Sequence, residues 1–223
     1  MAKLQQRAPV PGPAFIRQLA RLVQTEPAPS TQTLSERLSH WIDWNRAVNL
    51  SRALDAPPVG SETMEAASGN EEFEACQRSR AALMDTITGF VVPQDDRKIE
   101  FALFRKHCLD VQRSMQTATG RLRGRLRERV AAQSAALARL AEVDAVMEMT
   151  LSPREQSLLA RVPALLETHF AALTGTAEGD STPSRNAGLE TFRRDMQDLL
   201  LAELEVRFLP IDSLLAALRT PTR

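Results

Sequence analysis

The chain has 223 residues, 43% of them hydrophobic and 25% charged, with 28 basic residues against 28 acidic ones. A formal charge of zero argues against a protein that binds nucleic acid or anionic membrane by bulk charge. The aromatic fraction is only 4%, with no tyrosine. This disfavours sheets, which lean on aromatic and β-branched residues, and the abundance of Ala, Leu, Arg, Glu and Gln favours helices.

Residues 1–12 lack periodicity and carry two prolines, so they read as a disordered tail. A short helix follows, with Phe15, Ile16, Leu19, Leu22 and Val23 on one stripe, until the prolines of 25–30 end it. The next helix has a capping box in Thr33 and Glu36. Its stripe runs through Leu34, Leu38, Trp41, Ile42 and Val48. Trp41 and Trp44 are the only tryptophans of the chain. Three apart on one helical face, they read as core anchors, each burying ~150–250 Å². Loss of Trp41 from a core would cost about 3–5 kcal/mol.

Residues 55–70, rich in Pro, Gly, Ser and Glu, form a flexible loop by composition. A third helix spans 71–89, its early glutamates suiting the positive end of the helix dipole. Asp95 and Asp96 then open the longest helical stretch. Phe101, Phe104, Cys108, Val111, Met115, Ala118 and Leu122 alternate steps of three and four, a heptad seam. Phe101 and Phe104 join the tryptophans as core anchors. If these two helices form an antiparallel hairpin turning near Val92, residue i faces residue 184 − i, and Cys76 faces Cys108 as a reduced pair.

A further helix covers about 134–150. Ser152, Pro153 and Glu155 form a start signal for the next, or mark a kink in one continuous rod. Pro163 predicts a second kink. Residues 174–188 read as a flexible loop. The last long helix carries Phe192, Met196, Leu199, Leu200, Leu204 and Phe208. Pro210 breaks it, and Asp212 caps a short closing helix. The expected architecture is all-α: one elongated antiparallel helical bundle over 13–219, with long, kinked helices and short capping ones.

The chemistry is sparse. His40, His107 and His169 form no HExxH or i, i+4 pair. No glycine-rich phosphate loop, nucleophile elbow or CxxC occurs, and Glu167 lies only two before His169, which fails the ExxH pattern of di-metal bundles. Catalytic residues, metal ligands and cofactors are therefore expected to be none. With no apolar run of ~18 residues and no leader pattern, the expectation is a soluble cytoplasmic protein without direct membrane insertion.

One charge feature stands out. Between 113 and 139, seven arginines face one acid, Glu128, a net of +6. Arg121, Arg125 and Arg129 lie on one side of the stripe Leu122, Leu126, Val130, and Arg123 and Arg127 lie on the other. These five are the candidate contacts to a partner or a nucleic acid. Residues 55–74 carry six acids and no base, a charge of −6. If this segment runs back along the same rod, it neutralises the arginines within the chain. The alternative leaves a basic face for nucleic acid.

Five blocks in fixed order carry a family resemblance: RLSHWIDWNRAVNLSRAL, FRKHCLDVQRSM, LARLAEVDAVME, REQSLLARVPALLETHF and FRRDMQDLLLAELEVRFLPIDSLLAALR. With them the chain resembles an uncharacterised helical family of proteobacteria of the Burkholderia and Xanthomonas type, a domain of unknown function. That resemblance covers most of 13–219 and brings no catalytic residues. It implies a cytoplasmic subunit of an envelope-linked assembly, with membrane-associated proteins as partners. The functional expectation is a non-enzymatic helical interaction or scaffold protein with a protein partner and capacity for homo-oligomers. The alternative is a nucleic-acid-binding accessory protein using the arginine run.

Overall fold

The computed structural model describes residues 13–24, 32–55, 69–92, 99–175 and 182–219. The expected tail, 1–12, lies outside them. Eight α-helices occur among the described residues: α1 (Ala14–Val23), α2 (Leu34–Trp41), α3 (Trp44–Asp55), α4 (Gly69–Thr88), α5 (Phe101–Ala131), α6 (Ala135–Leu159), α7 (Val162–Thr174) and α8 (Thr182–Arg219). The fold is an all-α helical bundle.

Four rods build the bundle, in up-down-up-down order: α4, α5, α6 continued by α7, and α8. Side-chain pairings fix the directions. Gln112 on α5 donates to Glu203 on α8, and Phe104 packs edge-on against Phe192, so α5 and α8 run parallel. Arg123 pairs with Asp144, and Gln112 donates to the Leu159 carbonyl, so α6 runs antiparallel to α5. Arg80 pairs with Asp212 and Gln197 donates to the Ile87 carbonyl, so α4 runs antiparallel to α8. Outside this frame, α1 packs on α7 and α8, and α3 packs on α6.

The heptad seam of α5 is the central strut. Phe104, Cys108, Val111, Met115, Leu122, Leu126 and Val130 are buried, and Phe101 and Ala118 pack against the core. Phe101, Phe104, Phe170 and Phe192 form one aromatic cluster, with centroids 4.9–6.2 Å apart. Edge-on and tilted contacts of this kind suit the ring quadrupoles.

Both interior prolines are carried inside helices. Pro153 sits within α6, which therefore does not restart at Ser152. Pro210 sits within α8, which has 38 residues and is longer than α5. The expected break at Pro210 does not occur, and Asp212 caps no separate helix. The reason is burial on both sides of the proline: Phe208 before it and Ile211, Leu214 and Leu215 after it all belong to the core. Their combined burial exceeds the ~3 kcal/mol that an interior proline costs. The break does occur at Ala160–Arg161, where Pro163 enters the first turn of α7. α1 ends on Gln24, a non-glycine residue in left-handed conformation (φ 52°).

The expected loops are shorter than their composition suggests. α4 begins at Gly69 rather than after residue 70, and α8 begins at Thr182, inside the expected loop 174–188. Residues 56–68 and 176–181 lie outside the described ones. Pro183 falls in the first turn of α8, where its missing N–H has no helical partner to lose.

The hairpin of α4 and α5 exists, but its register differs from the mirrored one. α5 starts at Phe101, not Asp95, so the connection is long, and the two helices slide past each other. Phe90 stacks on His107 (4.1 Å), and Glu72 pairs with Arg125 and Arg129. Cys76, one turn beyond Glu72, therefore faces the Arg121–Leu122 level, about 20 Å along α5 from Cys108. Both thiols are free and buried.

Burial and Glu203 push the Cys108 thiol from its ordinary 9.0 up to about 12. Burial and Glu72 also raise Cys76. A raised thiol binds its proton more tightly in the folded state. The stability Cys108 contributes is present below about pH 9 and is lost as pH rises toward 12. A thiol-specific reagent at about pH 8 is expected to label neither cysteine until denaturant is added. Rapid labelling of the native protein would contradict the placement.

Candidate interaction surfaces

The arginine run lies on the C-terminal half of α5, which is flanked by α4 on one side and α6 on the other. The helical period deals its guanidinium groups to both flanks, and each flank supplies carboxylates. Arg123 reaches Asp144 at 2.7 and 2.8 Å in a two-pronged pair, with Glu148 at 3.6 Å. Arg127 bonds the same two carboxylates, 3.3 Å from Asp144 and in close contact with Glu148. Asp144 and Glu148, four apart, share one face of α6. On the other flank, Glu72 receives Arg125 at 3.0 Å and Arg129 at 3.4 Å. Glu72 is buried, while the stems of Arg125 and Arg129 remain half-exposed.

Four of the five candidate arginines therefore have carboxylate partners within the chain, four guanidinium groups against three carboxylates. Arg121 is exposed, and no carboxylate among the described residues pairs with it. Burial alone would lower the Arg123 guanidinium; the hydrogen bond and charge of Asp144 and the charge of Glu148 overcome it and hold the group above its ordinary value. The segment 55–74 contributes Glu72 to this neutralisation. Asp55 instead accepts from Ser51, and 56–68 lie outside the described residues. Most of the compensation comes from Asp144 and Glu148, which sequence reasoning had not singled out.

The tryptophans depart from the expected core. α2 opens with the capping box as expected: the Thr33 hydroxyl accepts from the Glu36 N–H (3.2 Å), and the Thr33 N–H donates to the Glu36 carboxylate (2.7 Å). The helix then stops at Trp41. Asp43 accepts from the Arg46 N–H at 2.9 Å and starts α3 afresh. This break at Ile42–Asp43 destroys the common face on which Trp41 and Trp44 were expected to lie together. Trp41 is half-buried between two guanidinium groups, Arg154 of α6 at 4.5 Å and Arg37 at 5.3 Å. Trp44 is 81% exposed. Neither tryptophan is a core anchor; Phe104 is fully buried and Phe101 packs partly buried beside it.

Five exposed apolar side chains sit on the packed pair α3 and α6: Trp44, Leu54, Leu140, Met149 and Leu158. Scattered exposed leucines need no explanation, but an exposed tryptophan among them is a feature of partner-facing surfaces.

The family match follows this geometry. The chain belongs to the DUF3348 family. Its description is "Protein of unknown function (DUF3348)", and it matches residues 1–220. Comparison with curated proteins and with solved structures finds no match. In this DUF3348 chain the histidines are spread through the fold. His40 is exposed on α2. His107 stacks on Phe90, and burial lowers its pKa from 6.5 against the pull of Asp110. His169 touches the buried Asp195 at 2.8 Å, which also receives Arg21 from α1 at 3.2 Å. That triple contact clamps α1 onto α7 and α8. Among the described residues, no helix is long and apolar enough to cross a membrane, and no group of three His, Cys, Asp or Glu could hold a metal ion.

Proposed function

We propose that this DUF3348 chain is a non-enzymatic interaction or scaffold protein that uses the α2–α3 arm to engage a protein partner. The carrying observation is the exposure of Trp44 next to a bundle whose arginines are spent internally. A large aromatic left in water on a short outer helix costs hydration free energy that a partner's surface recovers. The bundle beneath supplies a rigid platform for the arm, through the packing of α3 on α6 and the stacking of Trp41 against Arg154. The resemblance to proteobacterial relatives favours a cytoplasmic subunit of an envelope-linked assembly, with a membrane-associated protein as the partner.

The nucleic-acid reading loses its main support. Of Arg121, Arg123, Arg125, Arg127 and Arg129, only Arg121 is without a carboxylate among the described residues. To bind phosphate, the others would have to exchange one anion for another.

A photoreactive benzoyl-phenylalanine placed at position 44 tests the reading in the native host. The expected result is one discrete protein adduct on irradiation, with no adduct when the same group replaces the exposed Arg113 on α5. Absence of any adduct at 44, or adducts to nucleic acid from position 121, would overturn it.

A further inference from the structure

The arm brings two like charges onto one ring. Arg37 lies one turn before Trp41 on α2, and Arg154 comes from α6. Their guanidinium carbons stand 5.3 and 4.5 Å from the centre of the Trp41 ring. The two cations are therefore within ~10 Å of each other, about the Debye length at physiological salt. Both residues are exposed. Among the described residues neither has a carboxylate within ion-pair distance, and the nearest acids in the sequence are engaged elsewhere. Glu36 accepts from the Thr33 N–H at 2.7 Å, Asp43 pairs with Arg46 at 3.4 Å, and Glu155 faces Arg207 at 3.7 Å. The face of the indole offsets part of the repulsion. It takes up none of the in-plane N–H donors, of which each guanidinium has five.

Apolar surface lies beside this charge. Trp44, three residues on, is 81% exposed, and Leu158, one turn after Arg154 on the same face of α6, is 55% exposed. The arm as a whole is neutral: Arg37, Arg46 and Arg52 balance Glu36, Asp43 and Asp55. A polyanion gains little from a neutral arm, because its affinity grows with the number of cations along its path. One or two carboxylates set beside an apolar side chain match both features at once.

We propose that the partner of the α2–α3 arm presents an acidic segment, with Asp or Glu carboxylates bridging Arg37 and Arg154 and an apolar side chain covering Trp44. This rests on the arm being the surface that meets the partner, and it names the charge that the partner brings. The planar guanidinium fork matches a carboxylate in two-pronged fashion, and stacking on Trp41 holds both forks in place before the partner arrives. Tryptophan and arginine together are the side chains that dominate binding energy at protein interfaces.

The test uses the full chain with benzoyl-phenylalanine at position 44, irradiated in the native host, and sequences the crosslinked peptide. The expected adduct lies in a segment rich in Asp and Glu and survives nuclease. Arg37→Glu with Arg154→Glu should lower its yield at least about tenfold at unchanged helicity, since like charges then face each other. Arg37→Lys with Arg154→Lys keeps the charge and should retain most of it. Arg105→Glu with Arg121→Glu, two exposed positions on α5, makes the same change in net charge and should leave the adduct intact. No adduct in the parent would remove the arm as the partner surface, and the acidic segment with it. An adduct unchanged by the Glu pair, lost equally in the Lys pair or the α5 control, or mapped to a segment without carboxylates would overturn the acidic segment and leave the arm standing. An adduct destroyed by nuclease would overturn both.

Discussion

Glu203→Ala is expected to destabilise the protein by about 3–5 kcal/mol, because it strands a buried cation. Glu203 is only 1% exposed, and the Arg207 side chain it binds is 9% exposed. The same carboxylate accepts from Gln112 at 2.9 Å, and Gln112 in turn donates to the Leu159 carbonyl at the end of α6. Removing it leaves Arg207 with only Glu155, at 3.7 Å, and leaves the Gln112 amide one partner short. The loss should appear as a lower urea midpoint with little change in slope. Replacing the pair together, Glu203→Leu with Arg207→Met, should recover most of it, since a buried pair gains little over packed hydrophobes. A single substitution costing under ~1 kcal/mol would show that water already compensates Arg207.

Phe192→Ala is expected to cost about 3–5 kcal/mol, while Trp44→Ala should stay within about 0.5 kcal/mol of the parent. The two aromatics lie at opposite extremes. Phe192 is fully buried and touches Phe101, Phe104, Phe170 and His169. Its removal opens a cavity where α5, α7 and α8 meet, and these parallel and antiparallel rods cannot collapse into it independently. Trp44 is mostly in water, so its loss removes little folding free energy. Denaturant midpoints of both variants read the contrast directly. A large loss at Trp44 would return it to the core.

The α5 seam was legible because a sustained three-four alternation has one structural solution, a buried stripe. The capping box at Thr33 was legible for a local reason: both of its hydrogen bonds close within one turn. The tryptophan pair was not, because a helix face exists only while the helix continues. Asp43 is a strong N-cap residue four positions after Ser39, and it signals a restart, but the apolar spacing on either side masks it. Pro210 misled in the opposite direction. Its local cost is real, and only the burial of Phe208, Ile211 and Leu214 against other rods outweighs it. That information is not local.

The arginines were half legible. Their division onto two flanks follows from the helical period and is seen in the structure. Their partners depend on register. The turn at Ala132–Ser134 is short, so mirroring about Gln133 sets Arg123 opposite Val143, beside its partner Asp144, a signal that was present and not used. The α4 side could not be mirrored in the same way, because a long connection lets one helix slide along the other. Glu72 therefore meets Arg125 and Arg129 rather than the residues near Arg113.

The internal pairing of those arginines separates a protein-binding role from a nucleic-acid-binding one, and a salt titration tests it most directly. Binding of labelled single- and double-stranded nucleic acid should be followed between ~50 and ~200 mM salt, where each phosphate contact contributes about −0.9 to the slope of log affinity for duplex DNA. The account predicts no saturable binding near ~150 mM salt and a slope no steeper than about −2, from Arg121 and the one positive charge left over where Arg125 and Arg129 share Glu72. Saturable binding with a slope of about −4 or steeper, relieved stepwise by substituting Arg123, Arg125, Arg127 and Arg129, would contradict it.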